Sequence, residues 1–203
     1  MAARTADKDS RRAQLIEAAA HVFSRQGYSA SRVSEIATEA GVGKGTVYEY
    51  FSSKEDLFFA VFEDHQERIR ERVDRVLTDN GSALERLEKL LAEAAAIAED
   101  DRELHGVTLD FWSASIGSGA ADKFETTCNQ LYCHYRRILA DLIREGQAKG
   151  LIRSTVEPET VAIAVVAAID GLTVQHSFDP TIRPFDVVRG FADVLITGLK
   201  KSP

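Results

Sequence analysis

Several things are scarce in this chain, and each scarcity excludes something. It has 2 cysteines and 4 prolines in 203 residues. Cys128 and Cys133 fit neither a Cys-x-x-Cys motif nor a secretory disulfide framework. On one helix they would point about 140° apart, so they do not pair there. Little proline, sparse glycine and abundant Ala, Leu, Glu and Arg favour helix throughout, and no segment reads as a convincing strand. There is no Gly-x-Ser-x-Gly elbow, no His-Glu-x-x-His and no phosphate-cradling glycine loop. His21, His65, His105, His134 and His176 are scattered. An enzyme, a metal site and a cofactor are therefore not expected. No apolar run reads as long enough to cross a membrane and no signal peptide opens the chain, which points to the cytoplasm and to no membrane partner. Positive charge is also in deficit, the formal net charge being −7. A partner as anionic as nucleic acid then requires the basic residues to be gathered in one place.

They are gathered. Arg4, Lys8, Arg11, Arg12, Arg32, Lys44 and Lys54 lie in the first part, while Glu85, Glu88, Glu93, Glu99, Asp100, Asp101 and Glu103 load the middle. Within the basic part, Ser31 to Leu57 reads SRVSEIATEAGVGKGTVYEYFSSKEDL. Val33, Ile36, Ala37 and Ala40 recur at helical spacing, so Arg32 to Ala40 is expected to be a short amphipathic helix with Ser31 as its N-cap. Gly41 ends it and Val42 anchors the turn. A second short helix runs from about Lys44 to Tyr50, with Val47 and Phe51 facing inward. Two short helices joined by a tight glycine-containing turn form a helix-turn-helix, whose second helix enters the DNA major groove. Lys44, Thr46 and Tyr48 can donate to phosphates or base edges, and Gly45 lets a backbone come close. Ser52-Ser53-Lys54-Glu55 reads as a capping box opening the next helix, with Ser52 as N-cap.

Gly27-Tyr28, Ser31-Arg32-Val33, Ile36-Ala37, Ala40-Gly41-Val42, Gly45-Thr46-Val47-Tyr48, Tyr50-Phe51 and Lys54-Glu55 with Leu57 form a long ordered pattern behind an apolar first helix. In this pattern the chain resembles the DNA-binding domain of the TetR family of transcriptional repressors. Two departures bear on base readout: Gly43 stands where the family often has Ser or Thr, and Glu49 puts a carboxylate on the recognition helix. The resemblance implies an all-α protein of about nine helices: an N-terminal three-helix unit over 1–52, then a larger ligand-binding and dimerisation domain over 53–203. It implies a bacterial, ligand-responsive repressor bound as a homodimer to palindromic double-stranded DNA. The DNA contacts expected are Arg32, Lys44, Gly45, Thr46, Tyr48 and Lys54, the last on a phosphate.

Along the remainder, Met1–Ser10 is polar and reads as a mobile arm, and Arg11–Gln26 is a scaffold helix ended by Gly27. From Ser53 an apolar pattern keeps helical spacing to Asn80-Gly81, a helix of about 35–40 Å shared by both domains. Further helices are expected over 82–98, 103–115, 122–149, 158–177 and 185–200. REGQAKGLIR, from Arg144 to Arg153, is similar to a segment of multidrug-type (AcrR-like) members. The family places an apolar pocket among the long helix and the middle helices. Phe62, Gln66, Phe111, Trp112, Phe124, Cys128, Tyr132 and Asp170 are the candidates to line it, for a small hydrophobic effector. Asp170 lies in an otherwise apolar run, where an unpaired carboxylate is costly. It either pairs with a base such as His105 or His134 or faces the cavity, where it favours a cationic ligand. Val161, Val165, Ala168, Ile169 and Leu172, with Val187, Val188, Phe191, Leu195 and Leu199, are the candidates for a four-helix contact between subunits. A helical adaptor that has lost DNA binding is the alternative reading.

Overall fold

The computed structural model describes residues 2–100, 102–117 and 121–201. Among them are nine α-helices: α1 (Ala2–Ala30), α2 (Val33–Glu39), α3 (Lys44–Tyr50), α4 (Lys54–Leu77), α5 (Ala83–Asp100), α6 (His105–Gly117), α7 (Ala121–Ala148), α8 (Pro158–Phe178) and α9 (Pro184–Leu199). A short 3-10 turn, Arg102–Leu104, precedes α6. The one β-feature among the described residues is an isolated antiparallel bridge between Ile152 and Lys200.

Packing gathers the chain into two compact units. One compact unit comprises Met1–Arg68 and Glu103–Phe124, the other Ile69–Arg102 and Glu125–Pro203. The continuous helix α4 contributes its first part to one unit and its last part to the other. In the first unit α1 packs on α2 and on α6. Leu15, Ala19, Val22 and Phe23 form the buried stripe of α1 that the periodicity predicts. The opening residues differ from expectation, since the helix reaches back to Ala2. Good helix formers such as Ala2, Ala3, Arg4, Ala6 and Lys8 extend it there.

The first helix breaks at Gly27, where the sequence ends it, and two local corrections concern the helix starts that follow. At Gly27 the chain leaves helical space at φ 77° and ψ 163°, a region open in practice only to glycine, and one short turn follows to Ala30. Ser31 does not cap α2. Its hydroxyl donates to the Gly27 carbonyl at 2.5 Å, and the cap position falls to Arg32, whose N–H donates to Glu35 at 2.8 Å. The box before α4 is shifted by one residue. The Asp56 N–H donates to Ser53 Oγ at 3.0 Å, and the Asp56 carboxylate accepts from the Ser52 hydroxyl at 2.9 Å. The Ser52 hydroxyl and, next, the Ser52 N–H hold the Asp56 carboxyl below its usual range. Both Ser52…Glu55 and Ser53…Asp56 have the spacing of a capping box, so the register was ambiguous in the sequence.

In the second unit α5 lies along α9, and α8 packs on both. Leu87, Leu91, Ile143, Ile152, Val165, Val188 and Ile196 are part of its buried core. Ser82 caps α5 as expected, its N–H donating to Glu85 at 2.7 Å while Glu85 N–H donates to Ser82 Oγ at 3.3 Å. α8 corrects the reading of apolar length. Its 21 residues, with mean hydropathy 1.5, are long and apolar enough to cross a membrane, and only 22% of that stretch is buried. Ala162, Val165, Leu172 and His176 turn inward, leaving Ile163, Ala164, Ala167 and Ala168 exposed. Four of the residues expected between subunits, Val165, Leu172, Val188 and Leu199, are therefore core of this chain. An all-apolar helix carries no periodicity to say which stripe faces inward.

Candidate functional site

The turn between α2 and α3 is built from main-chain bonds. Gly41 adopts φ 65°; its N–H donates to the Thr38 carbonyl at 3.1 Å, and Val42 N–H donates to the Ala37 carbonyl at 2.9 Å. These two bonds satisfy the last carbonyls of α2 and set the direction in which α3 leaves. α1 steadies the same turn, because the Gln14 amide donates to the Ala40 carbonyl at 3.0 Å. α3 starts at Gly43 without a side-chain cap, and its C-terminal neighbour Phe51 lies beneath the Arg12 guanidinium, 5.3 Å from the ring centre. Periodicity did not bring out these α1 contacts, since Arg12 and Gln14 are exposed polar residues of a scaffold helix.

Val47 and Phe51 are buried, which fixes the inner face of α3. The other face carries the candidates for DNA. Lys44 and Gly45 are exposed, Thr46 is half-buried, and Tyr48 is 48% exposed with the Lys44 ammonium 5.7 Å from its ring centre. A side chain at position 45 would meet nothing within 4 Å, so the backbone there is open to approach. Arg32 is exposed at the start of α2, its main-chain N–H bonded to Glu35. Lys54 is arranged differently. Its ammonium donates to the carbonyls of Tyr28 at 2.7 Å and Ser31 at 3.0 Å and lies 4.3 Å from the Tyr28 ring centre.

The effector candidates fall into both units. In the first, Phe62 and Phe111 stack at 3.5 Å with their planes 10° apart, and Phe124 meets Phe111 edge-on at 4.7 Å. All three are buried, as is Gln66, while Trp112 is half-buried. In the second unit Cys128 is buried, and Tyr132 bonds through its hydroxyl to Asp170, which raises the tyrosine's pKa beyond what burial does. Burial pushes the Asp170 carboxyl up, and the Tyr132 hydroxyl partly offsets this. The partner of Asp170 is thus a tyrosine on α7 rather than a histidine. Tyr135, which helical spacing puts on the apolar face of α7, has a buried hydroxyl that finds no hydrogen-bond partner among the described residues, and burial pushes its pKa up to about 12. No group of three potential metal ligands occurs among the described residues.

Residues 15–61 match the model of the bacterial regulatory proteins of the tetR family, and residues 83–199 match that of the BetI-type transcriptional repressor C-terminal domain. The chain belongs to the TetR family. This regulator is 28% identical over 158 residues to the fatty acid metabolism regulator protein of Bacillus subtilis, covering 77% of the chain and 78% of that relative. The crystal structure of FadR from Bacillus subtilis in complex with stearoyl-CoA superposes with TM-score 0.76 at 25% identity, covering 92% of this chain and 98% of that one. A TetR regulator from Chloroflexus aurantiacus reaches TM-score 0.83 at 23% identity over 96% of this chain and 98% of its own, a likeness of fold. The regulator is accordingly an all-helical DNA-binding protein of transcription control, its helix-turn-helix being α2 and α3.

Proposed function

We propose that this regulator is a repressor that sits on a palindromic operator as a homodimer and leaves it when a small hydrophobic effector binds. Residues 1–52 carry DNA binding, and residues 53–203 carry the effector and the second subunit. The observation behind the reading is the two-sidedness of α3, held through Val47 and Phe51 and open at Lys44, Gly45 and Tyr48. Lys44 and Tyr48 reach base edges, Thr46 and Arg32 bond phosphates, and Gly45 admits the backbone. Lys54 is a positioning residue in this scheme, because main-chain carbonyls hold its ammonium. The dimer uses the outer stripe of α8, where Ile163 is 50% exposed, with Val194 of α9, which is 71% exposed. A second copy across a two-fold axis covers both and sets the half-site spacing. Operator binding of this kind places the regulator in the cytoplasm, with no membrane partner.

For the effector, the stearoyl-CoA complex of the Bacillus subtilis relative supports a long-chain acyl thioester. The multidrug-type kinship of REGQAKGLIR is the lesser reading, because a helix end accounts for that pattern. Leu151 N–H donates to the Gly146 carbonyl at 2.8 Å, and a Cβ on Gly146 would lie 2.6 Å from Ile152 Cδ1. A cationic effector is likewise secondary, since Asp170 offers a raised, hydrogen-bonded carboxyl. The aromatic candidates Phe62, Phe111, Trp112 and Phe124 suit an acyl chain, and Trp112 fluorescence reports contact.

Fluorescence anisotropy with the DNA flanking its own gene tests the reading. Binding should be specific and should be reversed by stearoyl-CoA. Replacing Lys44 by Ala should weaken operator binding by about 1–3 kcal/mol and relax base preference. Unchanged binding by a Lys44→Ala/Tyr48→Ala variant would overturn the interface. Operator binding that ignores stearoyl-CoA would overturn the effector class alone.

A further inference from the structure

The entry to the helix-turn-helix is held by side chains from two other helices of the first unit, and both act on one residue. Because Gly27 leaves helical space, the Tyr28 N–H cannot reach the carbonyl four residues back in the ordinary way. It donates instead to Oδ2 of Asp110 on α6, at 2.7 Å. The carbonyl of the same residue accepts from Lys54, the first residue of α4, at 2.7 Å. A Cβ at position 27 would stand 3.5 Å from the Asp110 carboxylate, so that carboxylate lies over the bare α-carbon of the break. The Tyr28 ring closes the assembly, packing against Phe58 of α4 with centres 4.4 Å apart.

We infer that Asp110 is a positioning residue that fastens α6 directly to the helix-turn-helix, so that α3 answers to α6 as well as to α4. The bond is charge-assisted, and no backbone carbonyl replaces the carboxylate for an N–H at a helix break. The two residues after Asp110 are Phe111 and Trp112, both effector candidates in the reading proposed above, on which the coupling to effector rests. A shift of α6 large enough to admit a ligand beside those rings must either break the Tyr28 bond or carry Tyr28 with it. Val33, five residues on from Tyr28, begins α2. Displacement at Tyr28 therefore passes into α2 and, through the bonded turn at Gly41, into α3. Lys54 supplies the matching hold from α4, which makes Tyr28 the point where the two helices are compared.

The test compares wild type with Asp110→Asn, which keeps an acceptor oxygen, and Asp110→Leu, which removes it; Asp110→Ala replaces the leucine variant if that fails to fold. Amide exchange at Tyr28 should be slow in wild type and Asp110→Asn and at least about tenfold faster in Asp110→Leu, as expected for a lost bond to a charged group. Operator affinity should fall about tenfold in Asp110→Leu while affinity for random duplex at the same salt stays put. The factor by which stearoyl-CoA lowers operator affinity should shrink in Asp110→Leu and be kept in Asp110→Asn. A residue that merely stabilises the fold would lower protection across the whole unit and leave that factor unchanged, and this result would overturn the inference. Should stearoyl-CoA leave wild type on its operator, the effector reading fails. Asp110 is then decided by the exchange rate and the operator-to-random ratio, and wild-type values of both in Asp110→Leu would reject it.

Discussion

The first unit is filled with rings and the second with aliphatic chains. Phe23, Phe58, Phe59, Phe62, Phe111 and Phe124 lie within 6.3 Å of one another along a chain of tilted, stacked and edge-on pairs. Around them, polar side chains hold named positions: Asp110 and Lys54 at Tyr28, and Lys123 above the Phe59 ring at 3.5 Å. The second unit has Leu87, Leu91, Leu142, Ile143, Ile152 and Ile196 at its centre and an apolar outer stripe left over on α8. Ring pairs and charged hydrogen bonds are directional, whereas aliphatic packing depends mostly on volume. The ring-filled unit, which includes α3, is thus held by directional contacts, and the aliphatic unit leaves an apolar stripe of α8 exposed.

The largest break should come from charging that surface. A variant with Ile163→Asp and Val194→Asp should be a folded monomer by light scattering. Its operator affinity should fall about a thousandfold, because two linked half-site contacts become one. A dimer mass at micromolar concentration in that variant would place the subunit contact elsewhere.

Next in size is a cavity among the rings. Phe58→Ala should cost about 3–5 kcal/mol in denaturant unfolding. Hydrogen exchange should show the loss concentrated in residues 1–68 and 103–124, since Phe58 touches Phe23, Tyr28, Phe111 and Phe124. Loss spread evenly over both units would mean that they do not melt separately.

The smallest effect sharpens the contrast from the aliphatic side. Burial raises the Asp170 pKa in the folded protein, so the folded state keeps a proton that the unfolded chain releases. Stability should then decline as pH rises from the ordinary carboxylate range through the raised value. Asp170→Asn should remove that slope while keeping a partner for the Tyr132 hydroxyl. Equal slopes in the two proteins, measured by denaturant titration across that pH range, would show the carboxyl to be solvated.

Much of this was legible in the residue order because it is local. Gly41 and Val42 specify a turn closed by bonds five residues long at most, and Val47 and Phe51 specify the buried side of α3. Helix ends at Ser82 and Pro158 were readable for the same reason, since caps and first-turn prolines act within a few residues. At Ser52 and Ser53 two boxes of the same spacing overlap, and the structure caps α4 from Ser53 rather than from the Ser52 that the residue order suggested. Beyond that range the residue order says little. Tyr28 and Asp110 are 82 positions apart, and nothing in either neighbourhood announces the bond between them. The ammonium of Lys54 could face a phosphate or a carbonyl, and only the fold around Gly27 brought three carbonyls within its reach. The stripe of α8 that turns inward was likewise undetermined, because a helix apolar on every side has no preferred face until its neighbours bury one. Local periodicity and capping determined the elements and the outward face of α3; long-range hydrogen bonds and the placing of unpatterned apolar surface were decided by tertiary packing, because their partners are close only in the folded chain.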